Sequence, residues 1–410
     1  MGTVTTRLQL ALEDQLVRPY RTVPVDVRAG ESLEVTLCYD RRAALVDLGC
    51  EGPAGWRGWS GGARDRFAIT PHAATPGYVA GELEPGTWHV VLGLYRLPVE
   101  PLEVVVTATT GGSPAVEAEP AAPAPVAAVQ GSARRLPSEP GLTWFAGDFH
   151  AHTVHSDGDR SIAGLARRAA ANGLDVLAVT DHNTVSHHPL LAAAGAAYDI
   201  TLLPGQEVTT DRGHANAFGD IGFVDFRRPA EEWVTQVAAR GGLLSVNHPL
   251  EGDWAWQQPT STLPPALELW HIGWFRDLAA TAMWALWQRW RPDAVILGGS
   301  DFHNPSLGYE PGTPTTWVQA ADRSPPGGPR RTRRRAHRDH PDTALPRPPA
   351  GGRRARRGGR RRDRAAGRAR AGTAGHRGAT ALPAPGTRSV PARDGGARAG
   401  RRLSLRRCTA

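Results

Sequence analysis

The spacing of apolar and polar residues changes character along the chain. In the first 110 residues, apolar side chains alternate with polar ones, as in Ser32-Leu33-Glu34-Val35-Thr36-Leu37, or cluster, as in Trp88-His89-Val90-Val91-Leu92-Gly93-Leu94. Alternation sends successive side chains to opposite faces of a strand. Turn formers, Ala29-Gly30-Glu31 and Pro85-Gly86-Thr87, separate the runs. Short strands with regular turns predict a small β-sandwich over 1–110. No His, Asp or Glu cluster at ligand spacing occurs there, so its role is structural or accessory. Trp56 and Trp59, in a Gly-rich loop, are its one candidate patch for a carbohydrate or a partner. Packing on the sandwich is the alternative use of the same rings.

Residues 111–140 are rich in Pro, Ala and Gly and read as a linker. From 141 to 320 apolar runs of strand length alternate with helix-like stretches. Strands are predicted at 143–146, 175–180, 200–203, 215–218, 243–246, 266–270, 294–297 and 316–318. Helices are predicted at 162–172, 188–198, 231–240 and 278–290, with Gly173 stopping the first. Such alternation predicts an α/β fold with parallel strands, of a size that suits a small barrel.

The chemistry sits where the strand-like runs end. Asp148-Phe149-His150-Ala151-His152 follows the 143–146 run, and Asp157 comes five residues after His152. Side chains two apart on a strand share a face, so His150 and His152 can grip one ion together. Asp181-His182-Asn183, Glu207, Asn247-His248-Pro249 and Asp301-Phe302-His303 each close a later run, and His214 opens one. A lone histidine at a strand end is more often a hydrogen-bonding residue than a ligand. Nine candidates at successive strand ends are not explained that way: His150, His152, Asp157, His182, Glu207, His214, His248, Asp301 and His303. They exceed the about four ligands of one zinc, so two or three divalent ions sharing Glu207 are expected. Imidazole with carboxylate suits Zn, Mn or Fe. Bridged ions acidify a shared water, giving a hydroxide that attacks an ester, carbamate or phosphoester. His155 reads as a supporting residue, and His187 and His188 as solvated or helix-start residues. Arg212 is the best candidate to meet a phosphate, while Trp254 and Trp256 are placed to wall a pocket for an aromatic or sugar group.

The blocks His150-Ala151-His152, Ser156-Asp157-Gly158, Thr180-Asp181-His182-Asn183, Gly205-Gln206-Glu207, Asn247-His248-Pro249 and Ser300-Asp301-Phe302-His303 resemble the PHP (polymerase and histidinol phosphatase) domain superfamily. Glu207-Val208-Thr209-Thr210 followed by Gly213-His214 looks like its CehA/McbA-type metallohydrolases. The resemblance covers roughly 144–320. It implies a distorted (β/α)7 barrel with a two- or three-metal centre. It also implies the ligand sets: His150, His152, Glu207 and Asp301 for one ion; Glu207, His214 and His248 for a second; Asp157, His182 and His303 for a third. PHP domains commonly act on phosphoesters, and the CehA/McbA type implies carbamates or other ester-like bonds. A phosphatase or phosphodiesterase acting on nucleotides or sugar phosphates is the alternative enzyme.

Charge and composition narrow the picture further. Residues 321–410 hold 26 Arg against five acidic residues, whereas 1–320 hold 22 Arg against 35 acidic residues. The overall charge of +8 therefore belongs to the tail. That tail reads as disordered and Arg-rich, able to touch nucleic acid nonspecifically, and a non-enzymatic nucleic-acid binder is the reading of another class. The chain contains no Lys, as expected from GC-rich coding DNA. Read in a shifted frame, such DNA yields mainly Arg, Ala, Gly and Pro, so a frame slip near Ser324 accounts for the tail. The closing barrel helix that the resemblance implies after the 316–318 strand would then be lost, which would impair activity. No apolar run spans a membrane and no basic and apolar leader opens the chain, so a cytoplasmic enzyme with a small-molecule substrate is expected. Cys38, Cys50 and Cys408 lie away from the histidines, which excludes a Cys-type zinc site. Resequencing the gene tests the slip: an α/β-like continuation is expected in another frame after codon 324, and its absence rejects the idea.

Overall fold

The computed structural model describes residues 2–273 and 281–323, all within one compact unit. The Arg-rich stretch from 324 onward, Trp274 and the first part of the 278–290 helix lie outside the described residues.

The N-terminal part is a sandwich of two four-stranded antiparallel sheets. One contains β1 (Gly2–Leu10), β3 (Leu33–Cys38), β6 (Arg66–Ile69) and β8 (Leu102–Thr110), in the order β1-β8-β3-β6. The other contains β2 (Tyr20–Val27), β4 (Leu45–Gly52), β5 (Gly55–Gly61) and β7 (Gly86–Arg96), in the order β2-β7-β4-β5. A short helix, α1 (Leu12–Val17), links β1 to β2 and carries no alternating pattern that would announce it. Leu33, Val35, Leu48, Phe67, Trp88 and Leu92 fill the space between the sheets.

The second part is an α/β fold around a nearly closed eight-stranded sheet. Its strands are β9 (Thr143–Asp148), β10 (Val176–Val179), β11 (Thr201–Thr210), β12 (Gly213–Phe218), β13 (Leu243–Val246), β14 (Ala266–His271), β15 (Val295–Gly299) and β16 (Thr316–Ala320). Among the described residues its helices are α2 (Ile162–Ala171), α3 (His188–Ala197), α4 (Ala230–Ala239) and α5 (Ala282–Arg289). Within the described residues each predicted strand and helix is found to within a few residues, except that β11 runs on well past its predicted end at 203, and Gly173 follows α2 at φ +80. The strand order is β15-β14-β13-β12-β11-β10-β9-β16. The Thr316 hydroxyl donates to the Gly298 carbonyl across the remaining gap at 3.1 Å.

The expectation of parallel strands needs correction. β12 is antiparallel to both β11 and β13, and β16 is antiparallel to β9. The cause at β12 is chain length. Only Asp211 and Arg212 separate β11 from β12, too few for the crossover that parallel strands need. The same hairpin carries β11 past Pro204-Gly205-Gln206 without a break, so Glu207 lies inside a strand and not at its end.

Two features join the parts. The 111–140 segment, expected as a linker, is a strap pinned to the α/β part. Gly131 N donates to the Gly173 carbonyl (2.7 Å), the Tyr198 hydroxyl to the Pro123 carbonyl (2.6 Å) and Ser132 N to the Asp175 carboxylate (2.9 Å). The second is an apolar seam. Trp59 and Val91 leave the outer face of the β2-β7-β4-β5 sheet and pack with Val208, Ala215, Phe226 and Trp233. Trp56 stacks on Phe223 at 4.9 Å, and Arg227 lies over the Trp56 ring while gripping Glu51 at 2.8 Å. The two tryptophans are therefore packing residues of the seam. Trp59→Ala is expected to cost about 3–5 kcal/mol in denaturant unfolding, and Trp254→Ala, half exposed, less than about 1 kcal/mol.

Candidate metal centre

Seven of the nine predicted donors, Asp157, His182, Glu207, His214, His248, Asp301 and His303, line one cavity of about 230 Å³ in the second part, and His150 and His152 join them in the same donor cluster. Local sequence explains how each arrives. β9 ends at Asp148, which is fully buried and accepts from Ser300 N (2.9 Å), Ser300 Oγ (2.5 Å) and Gly312 N (2.7 Å). Those bonds tie the end of β9 to the end of β15 and bring His150 and His152 against Asp301. His150 Nε2 lies 3.2 Å and His152 Nε2 3.0 Å from Asp301 Oδ1. The β10 end does the same for the next loop. Asp181 accepts from Thr153 N (2.8 Å), Thr153 Oγ1 (2.6 Å) and Ser156 Oγ (2.6 Å), so His182 and Asp157 face each other.

Glu207 is the hub. Its oxygens lie 3.2 Å from His150 Nε2, 3.5 Å from His152 Nε2, 2.8 Å from His182 Nδ1, 3.1 Å from His214 Nδ1 and 3.5 Å from His248 Nε2. His214 arrives through the β11–β12 hairpin, opposite Thr209. Asp157 opens on the cavity mouth with its side chain 45% exposed, 3.3 Å from His303 Nε2 and 3.6 Å from His182 Nε2. Asn183, His248 and Asp301 have left-handed backbones, φ +52, +27 and +50. Non-glycine residues in that region are strained, and three of the chain's five described cases fall on these motifs, as functional sites tend to show.

The electrostatics match a cation site. Burial favours the neutral acid at Glu207, but the imidazoles of His150, His182 and His214 outweigh it and hold the carboxyl well below its usual range. Asp301 is held down in the same way, against its burial, by His150 and His303. Burial, reinforced by His303 and His182, pushes His152 down to about 4. His150, also buried, is raised well above its ordinary value by Asp301, Glu207 and Glu268. His150 Nε2, His214 Nε2, His248 Nδ1 and His271 Nε2 are buried without a hydrogen-bond partner. Unpaired buried imidazole nitrogens are costly unless something else accepts their lone pairs, and a divalent cation does so. The donor set therefore fits bound metal.

Other expectations fare differently. Arg212 is exposed on the β11–β12 turn and is not among the residues lining the cavity. Trp254 lines it, 49% exposed. Trp256 does not; it packs on Trp233 at 6.3 Å. His187 is not solvated. It starts α3 fully buried, with Nε2 3.1 Å from the Val179 carbonyl and 3.0 Å from the Gly205 carbonyl. His188 also reaches the Gly205 carbonyl, at 3.0 Å. His155 is a supporting residue, 2.7 Å from Glu119.

Glu268 and His271 on β14 were not among the expected residues. Glu268 takes the His150 ring at Nδ1 (3.1 Å) and accepts from the His248 backbone N–H (2.9 Å), fixing the one ring and the other's backbone. His271 puts Nδ1 2.5 Å from Glu251 and Nε2 3.5 Å from Asp301. A charged residue inside the apolar run Leu267-Glu268-Leu269 was the available signal.

Comparison with known proteins places this geometry. Residues 148–248 match the PHP domain. The match starts at Asp148 and ends at His248, so it spans seven of the nine donors and stops before Asp301 and His303. A curated relative, the 5'-3' exoribonuclease of Haemophilus influenzae, is 38% identical over 64 residues, which is 16% of this chain and 23% of that protein. The chain thus spans under a quarter of the length of the curated relative it matches. Among solved structures, similarity extends to a two-domain protein from Bacteroides vulgatus containing a predicted PHP-like metal-dependent phosphoesterase. That likeness has a TM-score of 0.33 at 22% identity, over 48% of this chain and 63% of the other. An amidohydrolase from Chromobacterium violaceum gives a TM-score of 0.32 at 17% identity, over 42% and 90%.

Glu268→Gln keeps the shape of the side chain but loosens its hold on His150 Nδ1. It is expected to weaken metal affinity about 10–100-fold with little loss of fold, read by competition with a chromogenic chelator.

Proposed function

We propose that this chain is a metal-dependent phosphoesterase of PHP type, with a distorted (β/α)7-like barrel as its catalytic part. The observation that carries the reading is the clustering of eight imidazole and carboxylate donors around a buried Glu207, seven of the nine lining one cavity. His150, His152, Glu207 and Asp301 would hold one divalent ion, Glu207, His214 and His248 a second, and Asp157, His182 and His303 a third. Zn, Mn or Fe suits these donors, and when bound such ions supply Lewis-acid polarisation and acidify coordinated water.

The chain's own residues then set the substrate. Asp157, Glu207, Glu251 and Asp301 line the cavity, and no arginine does among the described residues. Arg212 therefore does not neutralise a phosphate, and the positive charge must come from the ions and the histidines. Trp254 offers an aromatic face at the cavity wall for the organic part of the substrate. Glu251 accepts from His271 Nδ1 and turns Nε2 towards Asp301, holding that imidazole in one orientation. The local identity to a 5'-3' exoribonuclease favours a phosphodiester over the carbamates and simple esters that the CehA/McbA resemblance implies.

A comparison of bis(4-nitrophenyl) phosphate with 4-nitrophenyl acetate and 1-naphthyl methylcarbamate, on metal-loaded protein, separates these. Turnover of the phosphodiester that chelation abolishes and Glu207→Gln removes is expected. Preferential cleavage of the carbamate would reject the phosphoesterase reading and favour the carbamate-ester one.

A further inference from the structure

The sandwich touches the metal centre's loops directly. Arg64, on the turn between β5 and β6, has its side chain 15% exposed. It donates from one guanidinium nitrogen to the Val154 carbonyl at 2.6 Å and from another to the Ser156 carbonyl at 3.2 Å. Those carbonyls flank His155 and lead straight into Asp157. Trp56 Nε1 donates to the Asn183 carbonyl at 3.0 Å, one residue past His182 and at a strained left-handed position. Between these contacts, Gly77 N points at His155 Nδ1 (3.3 Å) and the Gly77 carbonyl accepts from Thr184 Oγ1 (2.7 Å). Gly77 sits at φ +100, and a Cβ there would lie 2.7 Å from the His155 carbonyl oxygen, so the approach tolerates no side chain. The strap adds Glu119 on His155 Nε2 at 2.7 Å.

The remaining donors are held from within the barrel. Glu207 and His214 lie on strands, His248 and His150 are braced by Glu268, and Asp301 receives His152. His303 is fixed by its own Nδ1 on the Asp301 carbonyl at 2.8 Å. Among the described residues, only the donor loops bearing Asp157 and His182 draw additional hydrogen bonds from the sandwich.

We propose that the N-terminal sandwich is a positioning element for one cation subsite of the metal centre: through Arg64 and Trp56 it sets the Asp157 and His182 loops, and the subsite they form with His303 takes up its ion only when the sandwich is docked. This rests on the reading that the nine donors hold divalent ions. A charged guanidinium on two carbonyls makes stronger bonds than a neutral donor, and residues that orient ligands tune metal affinity without touching metal. The sandwich thereby acts on the site without contributing a ligand.

The test uses metal-stripped full-length protein titrated with Zn²⁺ alone, by calorimetry, with bound zinc counted by elemental analysis. Arg64→Ala is expected to weaken one class of zinc site by about 10–100-fold and leave the rest as in the parent. Arg64→Lys should recover part of that loss, since an ammonium still reaches a carbonyl. Arg66→Ala, which disturbs only Glu34 and the Ala115 carbonyl, should bind zinc like the parent. Trp56→Phe keeps the stacked ring, loses the donor to Asn183, and should show the same selective loss; it stands in if Arg64→Ala does not fold. Parent-like zinc binding by both Arg64→Ala and Trp56→Phe overturns the proposal, and so does loss of all zinc classes together. A parent protein that binds no zinc would overturn the metal reading itself, and that outcome shows in the parent and not in the variants.

Discussion

A buried carboxylate is surrounded by more imidazoles than it can accept from. Glu207 has five histidines within 3.5 Å and also takes the Asn247 amide at 2.8 Å. A carboxylate offers about four lone-pair sites, so the six groups cannot all donate to it, and several nitrogens must turn to another electron-pair acceptor. An unsatisfied buried set of this size would be too costly to keep unless it were balanced by positive charge. The strands and loops around Glu207 are arranged to impose the crowding. Asp148, Asp181 and Glu268 each spend buried hydrogen bonds on the segments that deliver the histidines, and none of those bonds improves the apolar core.

The crowding also shapes the backbone. His248 and Asp301 follow their strands in left-handed conformations, which turn each side chain sharply inward at the strand end. Asn183 is held in the same region by reciprocal bonds, its Oδ1 accepting from Thr209 N and its Nδ2 donating to the Thr209 carbonyl, both at 2.9 Å. Strain of this kind persists only where surrounding bonds over-determine it. Here the determining bonds come from β11 on one side and from Trp56 of the sandwich on the other.

The sequence made the ends of strands readable because each donor follows a short apolar run, and apolar runs mark buried strands. His150, His152, His182, Glu207, His248 and Asp301 were singled out for that reason, and Asp157, His214 and His303 through their company. The direction of β12 was harder to read: apolar spacing is the same up or down a strand, and only the two-residue link at Asp211-Arg212 carries the information. Glu268 and His271 escaped because they lie within a run that otherwise looks like plain core. Arg212 was chosen by nearness in sequence to Glu207, yet on its tight turn it is exposed and does not line the cavity. His187 looked like a solvated helix start, while its ring is drawn inward by two carbonyls that belong to different strands.

The contacts of the sandwich were the least legible part, since they join residues about 90 to 130 positions apart and leave no local pattern. Trp56 and Trp59 in a Gly-rich loop look alike in sequence whether they bind sugar, pack inward or meet another domain. The structure separates the uses by what lies opposite: Phe223, Phe226 and Arg227 of the α/β part. Once the rings are committed to that seam, the turn carrying Arg64 and the Gly77 segment can only fall on the Val154–Ser156 and Asn183–Thr184 loops. A sandwich attached by a free tether would sample many orientations and could not hold two carbonyls at hydrogen-bond distance. Pinning the strap through Glu119, Pro123 and Ser132 removes that freedom, and the accessory part becomes one wall of the scaffold on which the metal loops rest.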